Sequence, residues 1–69
     1  MDMRKLVGRN AARLRKEAGL TQEQLAERSG LSQQYLSKLE QGQRNPTIVT
    51  LYELANALGV SQVDLVRPN

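Results

Sequence analysis

The stretch Thr21-Gln-Glu-Gln-Leu-Ala-Glu-Arg-Ser-Gly-Leu-Ser-Gln-Gln-Tyr-Leu-Ser-Lys-Leu-Glu40 carries two helix-start signals eleven residues apart, with one glycine between them. Thr21 can accept a hydrogen bond from the backbone N–H of Gln24 while the Gln24 side chain reaches back, which is a capping box. Leu20 and Leu25 fit the apolar staple that accompanies it. Ser32 repeats the device as the cap of the next helix, with Leu31 paired to Leu36. The spacing therefore predicts two short helices meeting in a tight turn at Gly30, which supplies the left-handed backbone such a turn demands.

Steric requirements at fixed offsets make this pair more specific than any two helices. Counting from Gln22 as position 1, the small residue Ala26 falls at 5, Gly30 at 9, and Leu25, Leu31, Leu36 and Leu39 at 4, 10, 15 and 18. A small side chain near the middle of the first helix lets the second cross closely, and the leucines turn toward one core. This register defines a helix-turn-helix.

Working outward, Gly19, Gly30, Gly42 and Gly59 each follow a run with helical apolar spacing and mark four helix ends. The first helix is expected over about 3–18, with Leu6, Val7, Ala11, Leu14 and Ala18 on one face. The central pair spans about 22–29 and 33–41. A fourth helix, about 48–58, caps at Thr47 after the loop Gly42-Gln-Arg-Asn-Pro46 and turns Ile48, Leu51, Leu54, Ala55 and Leu58 inward. A last short helix, about 62–66, caps at Ser61, with Asp64 near its N-terminal dipole, Val60 close to Leu65, and Pro68 as its stop. The fold expected is all-α, a bundle of five short helices forming a single domain over 1–69.

Composition narrows the function. The 69 residues contain no cysteine and no histidine. Disulfides, zinc sites, thiol nucleophiles and imidazole bases are thereby removed, and oligomerisation is left as the natural supplement to a small core. Seven carboxylates spread over helix surfaces, without a glycine-rich phosphate loop, argue against an enzyme. No catalytic residue, metal ligand or cofactor is expected. No apolar run approaches the roughly 20 residues that cross a bilayer, and no signal or lipidation motif opens the chain, so a cytoplasmic protein without a membrane partner is expected. The net charge of +3 is unevenly placed: residues 1–19 hold six basic and two acidic groups, or +4, while the remainder is −1. A basic end attracts polyanions without choosing among DNA, RNA and acidic proteins.

The outward face of the third helix suits a nucleic-acid groove, although glutamines on exposed helices are also ordinary. Gln33, Gln34, Ser37 and Lys38 lie on its first turns and on the side away from Leu36 and Leu39. All four can hydrogen-bond, and none brings a carboxylate toward phosphate. Glutamine can engage adenine N6 and N7 together and lysine can donate to guanine, each good pair giving about 1–3 kcal/mol of discrimination.

Residues 9–66 resemble the phage repressor and Cro type of helix-turn-helix domain, the xenobiotic-response-element (XRE) or lambda-repressor-like DNA-binding family. The resemblance runs through Leu14-Arg15, Gly19-Leu-Thr-Gln-Glu-Gln-Leu-Ala26, Gly30-Leu-Ser-Gln-Gln-Tyr-Leu-Ser-Lys-Leu-Glu-Gln-Gly42, Asn45-Pro46, Thr50-Leu51 and Leu58-Gly-Val-Ser61. It implies a dimer on pseudo-palindromic operator DNA, the third helix lying in the major groove. By this resemblance Gln33, Gln34, Ser37 and Lys38 are the base-reading positions. Gln22 is a phosphate contact that braces the first of them, Ser32 touches a thymine methyl or phosphate, and Tyr35, Arg44 and Asn45 approach the DNA backbone. Arg15 and Glu40 match an ion pair tying the first helix to the end of the third, so both are assigned to structure; Arg4, Arg9 and Arg13 are weaker candidates for phosphate contact.

Val49, Tyr52 and Asn56 fall off the inward stripe of the fourth helix, and Val63 and Val66 accompany Leu65 in the last turn. One small core explains them poorly. The resemblance makes this C-terminal region the homodimer interface, with two recognition helices roughly 34 Å apart. The function expected is transcriptional regulation, as a repressor, an activator or a restriction-modification controller, with RNA polymerase as a further partner. The competing reading is an antitoxin-type module that binds a protein as well as DNA. Only Arg67-Pro-Asn follows the last helix, which weighs against it.

Overall fold

The computed structural model describes Met1–Pro68; Asn69, the last residue of the expected 1–69 domain, lies outside the described residues. Five helices follow in order: α1 (Met3–Glu17), α2 (Gln22–Ser29), α3 (Gln33–Glu40), α4 (Ile48–Leu58) and α5 (Gln62–Val66). None is long and apolar enough to cross a membrane. The ends follow local chemistry. Thr21 and Gln24 form the reciprocal capping box, and Ser61 and Asp64 form another. Thr47 Oγ1 accepts from the N–H of Thr50, and Ser32 Oγ from that of Tyr35. The Ser32 cap has no return arm, because the residue three positions on is a tyrosine. Asp2, outside the four expected caps, caps α1 by accepting from the N–H groups of Arg4 and Lys5. The bond from the Lys5 N–H, with that from Arg4, holds its carboxyl below the usual carboxylate range.

The core is built from Leu14, Leu25, Leu36, Leu39, Leu54, Leu58 and Leu65 with Ala11, Ala26 and Ala55. Leu20, Leu31 and Val60, the outer halves of the three expected staples, pack against it half-buried. α1 packs on α3 and α5, α2 on α3 and α4, and α4 on α5. Gly30 turns α2 into α3 with φ +77°, its N–H bonded to the Ala26 carbonyl.

Two inward expectations fail. Ala18 is exposed, because α1 ends at Glu17 and the chain departs at Gly19. Ile48 is 85 % exposed. It lies one turn before Tyr52 and shares that residue's outward side, while the buried stripe runs through Leu54, Ala55 and Leu58. The ends of α1 and α3 also each fall one residue earlier than expected.

Two contacts of α1 fix the frame of α3 and α5. At Gly8, a Cβ would run into the Leu39 carbonyl oxygen and stand 2.9 Å from that of Glu40, so α1 meets the last turn of α3 backbone to backbone. Asn10 is fully buried, and its Nδ2 donates to the carbonyls of Leu65 (2.9 Å) and Arg67 (3.0 Å). Those acceptors belong to the C-terminal end of α5, where intrahelical donors run out. Arg67 is already extended ahead of Pro68, the conformation a residue before proline favours.

The close approach at Gly8 gives a direct test. Alanine is the better helix former, yet Gly8→Ala is expected to destabilise the protein by about 1–3 kcal/mol, because the added methyl meets backbone that cannot move alone. In a domain of this size each kcal/mol lowers the melting temperature by about 4–8 °C. A melting temperature equal to or above the parent's would contradict this packing.

Candidate nucleic-acid interface

α3 is held by Leu36 and Leu39 in the core, which leaves its opposite side free. Gln33 and Gln34 are exposed there, and Ser37 and Lys38 are half-buried beside them. Together with Gln22, Gln41 and Gln43 they line an open concavity of about 420 Å³. Its lining holds one cation, Lys38, and no carboxylate. Five glutamine amides around one hydroxyl and one ammonium make a surface rich in paired donors and acceptors. It suits base edges better than it suits a single metal ion or an apolar ligand.

Gln41 and Gln43 join this lining without belonging to the base-reading positions that the family resemblance implies. Gln41 caps α3, and its Nε2 reaches the Ser37 Oγ at 3.4 Å. Gln43 follows Gly42, where positive φ turns the chain back beside α3. The signal for Gln41 was available: it stands four residues after Ser37, on the same helical face.

The structure joins Arg15 to Glu40 in a two-bond ion pair, Nε to Oε2 at 2.7 Å and Nη2 to Oε1 at 3.0 Å. Their side chains are only 12 % and 7 % exposed. The hydrogen bond to Glu40 raises the Arg15 pKa against the opposing effect of burial. Arg15 Nη1 also donates to the Leu20 carbonyl at 2.9 Å, which ties α1 to the start of α2. Gln22 donates to Glu40 Oε1 at 3.0 Å, so its amide is held by α3's last residue and not by Gln33.

Tyr35 is half-buried against the core, and the Arg44 guanidinium lies over its ring, 5.6 Å from the centroid. Such a contact is worth about 0.5–1 kcal/mol at an exposed site. Arg44 itself is exposed, and in sequence it follows Gln43 of the concavity's lining. Ser32 is exposed, its oxygen accepting the cap bond and its O–H left to donate. Asn45 is placed elsewhere: with Pro46, Met3, Arg4, Val7, Leu51 and Val66 it lines a smaller notch beside the first turn of α1.

Apolar side chains are also exposed on α4 and on α5. Val49, Tyr52 and Val63 are 66 %, 51 % and 53 % exposed, Asn56 is exposed between the first two on the helical face, and Ile48 extends the same stripe. Val66 differs, being half-buried beside Val7.

Comparison with known proteins places this architecture. The helix-turn-helix family model matches residues 12–64. The chain is 74 % identical over 68 residues to the HTH-type transcriptional regulator y4dJ of Sinorhizobium fredii, covering 99 % of this chain and 88 % of that one. Among solved structures it is similar to the restriction-modification controller protein C.AhdI of Aeromonas hydrophila, with TM-score 0.87, 39 % identity, and coverage of 90 % and 94 % of the two chains. It is also similar to the hypothetical transcription factor NHTF of Neisseria, with TM-score 0.92, 33 % identity, and coverage of 97 % and 77 %. The chain belongs to the phage repressor and Cro type of helix-turn-helix DNA-binding family.

Because the Arg15–Glu40 pair is mostly buried, truncating one partner leaves the other charge without compensation. Glu40→Ala is expected to cost about 3–5 kcal/mol, read as a large fall in melting temperature. An unchanged melting temperature would show that the pair does not hold α1 to α3.

Proposed function

We propose that this chain is a sequence-specific double-stranded DNA-binding transcriptional regulator that acts as a homodimer, with α3 in the major groove of a pseudo-palindromic operator. The observation that carries the reading is the carboxylate-free amide face of α3, exposed on the second helix of a helix-turn-helix. In this arrangement Gln33, Gln34, Ser37 and Lys38 meet base edges. Gln22, Ser32, Tyr35 and Arg44 fix register on the phosphates, helped by the basic charge of α1, while Asn45, in the notch beside α1, stands apart from them. Residues 1–69 act as one domain, in the cytoplasm, where the operator lies. Similarity to a restriction-modification controller protein supports that role as one form of the function. Bound near a promoter, such a dimer meets RNA polymerase either by exclusion or by contact, so the position of the operator sets the sign of regulation.

One module of this size covers about half an operator, so dimerisation supplies both affinity and symmetry. The exposed Ile48, Val49, Tyr52 and Asn56 of α4 and Val63 of α5 make the surface for it, and Val66, half-buried in the notch beside Val7, is left out of it. Nothing in the fold of one chain otherwise accounts for so much apolar area beside so small a core.

Selection of sites from random duplex DNA is expected to return a two-fold symmetric consensus with half-sites about one helical turn apart. No enrichment over background would overturn the proposal. On the winning site, Gln33→Ala or Gln34→Ala is expected to cost about 1–3 kcal/mol and to relax preference at one base pair per half-site. Arg44→Ala should weaken all sequences alike and lower the salt slope by about one. Equal losses on cognate and scrambled DNA for the glutamine variants would remove them from the base-reading set.

Tyr52→Asp is expected to give a folded monomer in sedimentation and to lower operator affinity by about a hundredfold or more, as two linked half-sites become two separate ones. A variant that remains dimeric would move the interface elsewhere.

A further inference from the structure

Glu40 takes part in two sets of contacts. Its carboxylate accepts two bonds from Arg15 and a third from Gln22, and the last two share Oε1. The Arg15 bonds hold α1 to α3. The Gln22 bond runs toward the surface instead, because Gln22 is the first residue of α2 and lines the same concavity as Gln33 and Gln34.

The chemistry of that third bond fixes an orientation. A carboxylate only accepts, so the Gln22 amide must turn its nitrogen toward Glu40 and its carbonyl oxygen away. An amide nitrogen carries two hydrogens. One is spent on Glu40, and the other remains on a half-buried side chain at the concavity's rim. Left to itself, a glutamine at this place could present either its oxygen or its nitrogen to an approaching phosphate, and the oxygen would repel it. The negative charge of Glu40 does not reach that phosphate unopposed, since the Arg15 guanidinium lies against both carboxylate oxygens.

We infer that Glu40 is a positioning residue for DNA: by holding the Gln22 nitrogen it presents that residue's second N–H to one backbone phosphate per half-site. This inference rests on the DNA-binding reading above. It gives Glu40 a role in recognition beyond its contribution to stability, and it makes the α1–α3 ion pair and the DNA contact parts of one network.

A double-variant cycle on the full chain tests it, read as affinity for the selected duplex. Removing Glu40 alone risks unfolding, so the pair is replaced together: Arg15→Met with Glu40→Leu exchanges the two charges for apolar groups of similar size, an exchange that buried ion pairs often tolerate. Gln22→Ala is expected to weaken binding about tenfold in the parent. In the paired-replacement background it is expected to have almost no effect, because the amide is already unheld. Should that background fail to fold, Arg15→Leu with Glu40→Met, which likewise removes the acceptor for Gln22, is assayed below its melting temperature in its place. A methylphosphonate scan of the duplex supplies an independent readout. One neutralised phosphate per half-site should cost affinity with the parent and cost nothing with either Gln22→Ala or the Glu40 variant. Losses that multiply, or a phosphate whose importance survives the Glu40 change, would overturn the inference while leaving DNA binding intact. A parent that binds no duplex would overturn both.

Discussion

The ion pair between Arg15 and Glu40 is the constraint on which the rest of the arrangement depends. It gathers three helices at one point: α1 through Arg15, α3 through Glu40, and α2 through the Leu20 carbonyl and Gln22. The leucine and alanine core between these helices is held by non-directional contacts, which tolerate sliding. A planar guanidinium on a planar carboxylate does not, since a shift of an ångström breaks one of its two bonds. Gly8 works in the same place. It lets α1 come close enough for Arg15 to reach, because any larger residue would be stopped by the Leu39 and Glu40 carbonyls.

Once its C-terminal end is held there, α3 has its orientation set, and its outward side is released from any duty to the core. Leu36 and Leu39 are buried, while Gln33 and Gln34 are free. The same division recurs at the other end of the molecule. α5 is anchored by Leu65 in the core and by Asn10 on its terminal carbonyls, which leaves Val63 outward. A protein this small builds one core and spends its two remaining faces differently. One is polar and amide-rich beside α3; the other is apolar, on α4 and α5. In the proposed function, the first face would meet base edges and the second a second copy of the chain, and those two tasks call for opposite compositions.

Much of this was legible in the residues, for physical reasons. The caps at Thr21, Ser32, Thr47 and Ser61 and the glycines at positions 19, 30, 42 and 59 act over three or four residues, so their chemistry is visible locally, and the helices they bound fall within a residue of where they indicate. Contacts across long stretches of chain were less visible. Asn10 looks like an ordinary polar residue on α1 until the Leu65 and Arg67 carbonyls, more than fifty residues away, meet it. Gly8 resembles a weak point in a helix until the end of α3 is laid against it. Ile48 failed because a wide apolar stripe does not say which edge leaves the core, and Gln22's attachment to Glu40 needed the crossing of α2 and α3 to be seen. The outward placement of Gln33 and Gln34 was readable because Leu36 and Leu39 leave only one side of α3 to solvent.

The central claim, that the amide-bearing side of α3 meets DNA, is tested most directly by following side-chain NH2 and backbone amide resonances while duplex operator is titrated into isotopically labelled protein. The account predicts that the side-chain signals of Gln22, Gln33 and Gln34 and the backbone signals of Ser37 and Lys38 move or broaden most, in proportion to bound DNA. Glutamine signals that stay in place while the changes gather on α1 or on the outward side of α4 would contradict it.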